Sequence, residues 1–146
     1  MGRPELVSAV RMAKQFLTFV NGAPFQPAIA AGLRLGDGYY QQFTAELQAK
    51  RDLFAGYLER AGFDVFTTEG TYFLTVDISS VAAARGGPAD SVGFCLALPE
   101  RAGVVAVPSS VFYTDSRDGD RFVRFCFTKN DAMLHDAGQR LVDAFS

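Results

Sequence analysis

The sequence predicts an α/β protein in which a helical N-terminal segment precedes a small sheet of three to four short strands packed by helices. Two observations predict this class. Up to about residue 60, apolar residues recur at helical spacing. Beyond it, short runs rich in Tyr, Phe, Val and Thr alternate with helical segments. A length of 146 residues with 49% hydrophobic content is enough for a real core.

Two helices are expected before residue 37. Pro4 and Glu5 suit the first turn of a helix that runs to about Phe19. The turn-forming run Asn21-Gly22-Ala23-Pro24 then breaks the chain. A second, shorter helix is expected from about Pro27 to Gly36.

The third predicted helix, from about Asp37 to Arg60, is the longest. Its apolar residues form one stripe: Tyr40, Phe43, Leu47, Phe54 and Leu58. The chain therefore divides into a helical segment, 1–36, a long connecting helix, 37–60, and a small α/β domain, 61–146.

The α/β segment alternates strands and helices. Strands are expected at Phe63 to Phe66, Thr71 to Ile78, Val104 to Val107 and Arg121 to Phe127. Asp90 offers an N-cap for a helix from about Ser91 to Leu98, which Pro99 is expected to end. A loop is expected over 109–120. Asn130 caps a last helix that has four inward apolar residues: Leu134, Ala137, Leu141 and Phe145.

Arg124 is the most informative residue, because it interrupts the apolar run Phe122-Val123-Arg124-Phe125-Cys126-Phe127. Alternation along a strand places Arg124 on the same face as Phe122 and Cys126. A guanidinium keeps its proton, so its charge needs a partner or water. Arg124 is therefore either a member of a structural ion pair or a receptor for an anion such as a carboxylate, which its planar fork matches.

Composition excludes several classes of function. The net charge of −2 and the lack of a basic block argue against nucleic acid and anionic membranes as partners. No apolar run approaches the roughly 18 residues of a membrane span, and the N-terminus lacks a signal-peptide core. Cys95 and Cys126 indicate buried free thiols of a cytoplasmic protein, and no metal-ligand cluster is visible.

The usual catalytic constellations are also missing from the sequence. The single histidine, His135, lies in a polar stretch that indicates a surface position. The three lysines, Lys14, Lys50 and Lys129, all favour surface positions. No dinucleotide-binding or phosphate-binding glycine motif occurs.

Four segments, in order, resemble a known family. They are Val20-Asn21-Gly22-Ala23-Pro24-Phe25-Gln26, Gly70-Thr71-Tyr72-Phe73-Leu74 with Asp77-Ile78-Ser79, Val107-Pro108-x-Ser110-x-Phe112-Tyr113, and Val123-Arg124-Phe125-Cys126-Phe127-x-Lys129. Together they resemble the C-terminal part of class I/II, fold type I, pyridoxal-phosphate aminotransferases. The nearest branch is that of the kynurenine/glutamine and succinyldiaminopimelate aminotransferases.

The resemblance implies roles for four residues. Arg124 would bind the α-carboxylate of an amino acid or 2-oxo acid substrate, and Tyr72 would lie near the substrate pocket. A core position for Tyr72 is the alternative. Asn21 and Gly22 would approach the active site of the neighbouring subunit in a homodimer, although Asn-Gly is also a good turn pair. The protein would be a cytoplasmic transaminase.

One departure limits these expectations, because none of Lys14, Lys50 and Lys129 matches the family's Schiff-base lysine motif. Residues 1–36 would be the end of the large cofactor domain and 61–146 the small domain. The isolated chain is then expected to be inactive and not to bind pyridoxal phosphate. The alternatives are a non-catalytic binding or dimerisation module derived from that domain, and an unrelated binding domain in which Arg124 pairs with an internal carboxylate.

Overall fold

The computed structural model describes residues 2–18 and 22–146, and the chain divides into two compact units, Met1–Gln41 and Gln42–Ser146. The helices of the described residues are α1 (Pro4–Leu17), α2 (Phe25–Gly32), α3 (Asp37–Arg60), α4 (Ser79–Arg85), α5 (Ser91–Ala102) and α6 (Asp131–Phe145). The strands are β1 (Asp64–Val65), β2 (Phe73–Asp77), β3 (Val107–Pro108) and β4 (Phe122–Cys126). The predicted fold class, helices followed by a small helix-packed sheet, is confirmed.

The first unit consists mainly of α1 and α2, and neither helix has a buried residue. Its apolar side chains are exposed instead: Leu6, Val7, Val10, Met12, Phe16, Leu17, Phe25, Ile29, Leu33 and Leu35. The predicted bounds of α2 are wrong, because α2 begins at Phe25 and ends at Gly32. Pro27 lies in its first turn, where a missing N–H leaves no helical bond unmade.

The second unit contains the sheet and the hydrophobic core. The strand order is β1-β2-β4-β3, and all three pairings are antiparallel. One face of the two central strands is buried, with Leu74 and Val76 on β2 and Val123 and Phe125 on β4. The helices pack their apolar residues into this same core: Phe54, Leu58, Val81, Phe94, Leu98, Leu134, Leu141 and Phe145.

The strands are shorter than the sequence predicts, and the prediction for β3 is wrong. Val104 and Ala106 are buried but lie before the strand, whose two residues are Val107 and Pro108. The predicted strand ends before Pro108, whereas the observed strand includes it. Strand β3 can contain Pro108 because β3 lies at the edge of the sheet and pairs with a neighbour on one side only. Proline has no N–H group, and on the open side of an edge strand none is needed.

Two helices differ from expectation. The sequence analysis missed α4, whose first turn is held by the carboxylate of Asp77, which accepts a hydrogen bond from the amide of Ser79 at 2.9 Å. Helix α5 continues through Pro99 to Ala102, so the predicted break is wrong. Burial of Leu98 and Ala102 on either side of the proline stabilises that last turn.

The predicted helix starts at Asp90 and Asn130 are confirmed. The side chain of Asp90 accepts a hydrogen bond from the amide of Gly93 at 2.7 Å, and that of Asn130 accepts one from Met133 at 2.8 Å. The bounds of α3 also match the prediction. Across the part of the chain that the structure describes, no helix is long and apolar enough to cross a membrane.

Candidate functional site

Arg124 lies on β4, a central strand of the sheet, opposite Thr75 of β2 and Val107 of β3. Its neighbours Val123 and Phe125 are 0% and 1% exposed and belong to the core. Arg124 points to the other face and is half-buried. The alternation predicted for this strand is therefore confirmed, and the arginine is held by a strand with partners on both sides.

Among the described residues, the guanidinium of Arg124 has aromatic neighbours and no acidic partner. Its Cζ atom lies 3.8 Å from the ring centroid of Phe112 and 5.4 Å from that of Phe73. None of the ion pairs found among residues 2–18 and 22–146 includes Arg124. The internal carboxylate that the ion-pair alternative requires is thus missing from the described part of the chain.

The nitrogen atoms of Arg124 differ in their access. The Nε atom is buried and has no hydrogen-bond partner, whereas the two Nη atoms are not buried. A buried donor without an acceptor costs about 1–3 kcal/mol. The aromatic rings around Arg124 supply no acceptor for this atom, so the donors of Arg124 that a ligand can reach are those of the Nη atoms.

A short loop after β3 brings Phe112 to Arg124. The amide of Ser109 donates to the carbonyl of Phe122 at 3.0 Å, which continues the β3–β4 ladder by one bond. Residues Ser110–Phe112 then form a 3₁₀ turn. The sequence predicts a loop here and includes Phe112 in a family motif, but it does not predict the contact with Arg124, which joins residues twelve positions apart through a turn of irregular geometry.

Two buried contacts fix this loop. The hydroxyl groups of Ser110 and Ser91, the first residue of α5, lie 2.8 Å apart. Gly119 is also buried, and a Cβ atom there would lie 2.7 Å from the Cα atom of Ser110 and 2.5 Å from the ring of Tyr113. Only glycine permits this approach, since real Cβ contacts are longer.

Tyr72 lies outside the core, directly before Phe73 of β2. It is 49% exposed, precedes β2, and packs on Phe73 with ring centroids 4.7 Å apart. The core alternative for Tyr72 is therefore wrong. The preceding Thr71 has a φ of 63°, which is rare for a β-branched residue. This strained backbone turns the chain into β2 next to Phe73, whose ring approaches Arg124.

The predicted subunit-interface pair is only partly observed. Asn21 lies outside the described residues. Gly22 lies in the first unit, where its carbonyl accepts a hydrogen bond from the amide of Phe25 at 3.2 Å. This bond agrees with a turn, and the role of both residues toward a neighbouring subunit stays a prediction.

Other polar groups have ordinary surroundings. His135 is exposed as predicted, and its Nδ1 atom lies 2.9 Å from the hydroxyl of Tyr57. Both cysteines are free, as predicted, but the prediction that they are buried is wrong, since each is half-buried. Partial burial raises the pKa of the Cys95 thiol to about 11. No group of His, Cys, Asp and Glu that could hold a metal is found among residues 2–18 and 22–146.

The lysines do not provide a site for pyridoxal phosphate. Lys50 lines a shallow pocket with Glu46 and Asp131, and Lys129 lines a cleft with Asp136. These carboxylates would repel the phosphate, and neither pocket has a second cation to hold it. Lys14 is exposed on α1 and lines a pocket with Arg11, but the other lining residues are apolar and offer no carboxylate for the pyridinium nitrogen of the cofactor. The described residues therefore do not fit the cofactor by themselves.

Comparison with known proteins identifies the family. Residues 1–141 match the family described as aminotransferase class I and II, whose members depend on pyridoxal phosphate. A Mycobacterium tuberculosis protein named as a probable N-succinyldiaminopimelate aminotransferase is 42% identical over 96% of this chain and 36% of its own length. An Escherichia coli methionine aminotransferase is 36% identical over 94% of this chain and 34% of its own.

Solved structures agree. The N-succinyldiaminopimelate aminotransferase of Mycobacterium tuberculosis superposes with a TM-score of 0.85 at 41% identity, over 98% of this chain and 36% of that one. An Escherichia coli protein with methionine aminotransferase function gives a TM-score of 0.82 at 33% identity, over 98% of this chain and 36% of that one. The chain thus spans about a third of the length of these relatives. The chain belongs to the aminotransferase class I and II family.

Proposed function

We propose that this chain supplies the substrate-carboxylate site of a pyridoxal-phosphate aminotransferase, which transfers an amino group between an amino acid and a 2-oxo acid. Arg124 binds the α-carboxylate in this proposal. One observation carries it: a half-buried guanidinium, fixed in the middle of a sheet, has no carboxylate partner among the described residues. An unpaired charge in such a place is costly unless it receives an anion.

The accessible edge of Arg124 suits a carboxylate. Its Nη atoms are not buried, and two parallel N–H donors match the two oxygens of a carboxylate. Because β4 holds the arginine between two neighbouring strands, the bound carboxylate has one orientation. The relatives are named for amino acids with different side chains, and the α-carboxylate is the group that these substrates share.

The cofactor belongs to parts of the active site that the described residues do not provide. When bound, pyridoxal phosphate supplies the electron sink for amino-group transfer. Since none of Lys14, Lys50 and Lys129 matches the family's lysine motif, we expect the isolated chain to be inactive. Tyr72 then lies at the margin of the substrate pocket.

The proposal also includes the oligomeric state of the protein and its location in the cell. A cytoplasmic homodimer is proposed from the family resemblance, with Asn21 and Gly22 approaching the neighbouring subunit. The apolar side chains exposed on α1 and α2 agree with burial against further protein.

A second candidate is a non-catalytic binding or dimerisation module. The observation in its favour is that the unit Gln42–Ser146 encloses its own hydrophobic core. Hydrogen exchange of the purified chain separates the two candidates. A module protects α1 and α2 as strongly as β2 and β4, whereas part of a larger enzyme leaves α1 and α2 unprotected.

Carboxylate binding can be tested directly on the chain. The side-chain Nε–H signal of Arg124 is followed by nuclear magnetic resonance during titration with propionate at constant ionic strength. Propionamide, a neutral molecule of similar size, is the control ligand. We expect a saturable response to propionate only. In Arg124→Gln, which lacks this signal, the backbone amide signals of β4 should not respond to propionate, whereas those of the wild-type chain should. Equal responses to both ligands would refute the carboxylate role of Arg124.

A further inference from the structure

The geometry points to Phe112 as the positioning residue of the carboxylate site, an inference that rests on the proposed function of Arg124. Phe112 holds the guanidinium of Arg124 against its ring and leaves the Nη edge open for a carboxylate. The ring centroid lies 3.8 Å from the Cζ atom, closer than the 5.4 Å to Phe73. Neither aromatic residue has a polar atom that competes for the guanidinium.

The stacking contact and the carboxylate use different directions of the same side chain. The five N–H groups of a guanidinium lie in its plane, while an aromatic ring attracts the cation through its face. Phe112 can therefore stay in contact with Arg124 while a carboxylate binds the Nη atoms. Neutralising the arginine by an internal acid would not allow this, because that acid would occupy the same donors.

Phe112 packs little against the core that the described residues enclose. Phe112 is 63% exposed, although the loop on either side of it is anchored by the buried residues Ser110 and Gly119. An exposed phenylalanine on a fixed loop contributes little to the core. The guanidinium of Arg124 lies 3.8 Å from the ring centroid of Phe112. We therefore assign to this exposed ring the role of ordering the guanidinium.

Ordering the guanidinium has a consequence for affinity. An arginine that moves freely loses rotamer entropy when it binds a ligand, whereas one that is already held loses less. Removal of the ring is therefore expected to weaken carboxylate binding by about 3- to 30-fold, the range of one cation–π contact. It should also release the Nε–H group of Arg124 from its buried position.

The experiment repeats the propionate titration on the 146-residue chain carrying Phe112→Leu, Phe112→Tyr or Val111→Ala. Tyrosine keeps an aromatic face, leucine does not, and Val111 is an exposed neighbour on the same turn. We expect weaker propionate binding and a changed Nε–H shift in Phe112→Leu alone. If circular dichroism shows that this variant is unfolded, Phe112→Met replaces it.

The outcomes separate the two claims. Equal propionate affinity of Phe112→Leu and Val111→Ala overturns the role of Phe112 while Arg124 keeps its own. Weakening by Phe112→Tyr as large as by Phe112→Leu also overturns it, since the aromatic face would then be irrelevant. No response of Arg124 in the wild-type chain refutes the proposed function, and the role of Phe112 with it.

Discussion

The buried hydroxyl groups of Ser91 and Ser110 lie 2.8 Å apart and join the first turn of α5 to the loop that carries Phe112. Ser110 follows Ser109, which is equally buried, at 4% exposure, but whose hydroxyl has no hydrogen-bond partner. The two adjacent serines are thus equally buried, but only the hydroxyl of Ser110 has a hydrogen-bond partner. Each serine can therefore serve as the control for the other.

Replacing these serines by alanine should change stability in different ways. Ser110→Ala leaves the buried hydroxyl of Ser91 unpaired, and we expect a loss of about 1–3 kcal/mol in the free energy of unfolding. Ser109→Ala removes a hydroxyl that is already unpaired, so its effect should be neutral or stabilising. Urea denaturation measures both. Equal losses would mean that the hydroxyl of Ser109 has a partner in solution.

The approach of Gly119 to Ser110 leads to a second expectation. Gly119→Ala places a methyl group 2.7 Å from backbone, so the loop must shift, at a cost of about 1–3 kcal/mol. The control is Gly70→Ala, where no atom lies within 4 Å. Urea denaturation and the Nε–H signal of Arg124 give the readouts. If Gly119→Ala changes neither quantity, the loop adapts easily and does not hold Phe112.

Local signals explain which parts of the fold could be predicted. The caps at Asp90 and Asn130 act within three residues, and the alternation around Arg124 is a property of one strand. The start of α4 is also local, since the carboxylate of Asp77 accepts a hydrogen bond from the amide of Ser79. Helix α4 was missed because it has seven residues and one buried apolar residue, Val81, which is too little for a helical periodicity.

The candidate site could be predicted only in part, for the same reason. Arg124 was recognised because a charged residue within a short apolar run of sequence is unusual and can be seen from its immediate neighbours alone. Phe112 belongs to a recognised motif, but its contact with Arg124 could not be predicted, because the place of Phe112 depends on the contact of Ser110 with Ser91, nineteen residues earlier, and on the close approach of Gly119. Such contacts arise from the packing of segments and have no periodicity.

The Cys95 thiol should make stability fall at high pH. Burial raises its pKa to about 11 in the folded chain, above the roughly 8.5 of a free cysteine. Between these values the unfolded chain releases a proton that the folded chain keeps, so the stabilisation present below about pH 8.5 declines as the pH rises to about 11.

Urea denaturation from pH 8 to 11 measures this decline. Cys95→Ala removes the titrating group and should flatten the dependence relative to wild type. Thiol labelling gives an independent check, because only the thiolate reacts. In a Cys126→Ser background, labelling of Cys95 at pH 9 should be much slower in the folded chain than in urea. Equal rates would mean that burial does not protect the thiol.

Kinetics in a complete active site would test Arg124. This chain can replace the matched segment of the Mycobacterium tuberculosis N-succinyldiaminopimelate aminotransferase, with which it shares 41% identity. Loss of a buried charge partner costs about 2–5 kcal/mol, so Arg124→Gln should lower kcat/KM by about 30- to 5,000-fold. Arg124→Lys should recover only part of this, because it keeps the charge without the planar fork.

Arg117→Gln is the matched control for Arg124→Gln. Arg117 is 84% exposed and pairs with Asp115, so its loss should leave the kinetics unchanged. Unchanged kinetics in Arg124→Gln as well would make Arg124 a structural residue. A fall in kcat/KM with unaltered binding of propionate would also contradict direct contact between Arg124 and the carboxylate.

Addition of pyridoxal phosphate to the isolated chain should give no specific adduct. The pockets of Lys50 and Lys129 contain carboxylates and no second cation. The pocket of Lys14 contains Arg11 but no carboxylate for the pyridinium nitrogen, so none of the three holds the cofactor while an amine condenses with the aldehyde. After borohydride reduction, mass spectrometry should find slow, non-saturating modification spread over Lys14, Lys50, Lys129 and the N-terminus. Pyridoxal, which has no phosphate, should give the same distribution. A saturable adduct at one lysine, formed with pyridoxal phosphate and not with pyridoxal, would show that the chain has a cofactor site of its own.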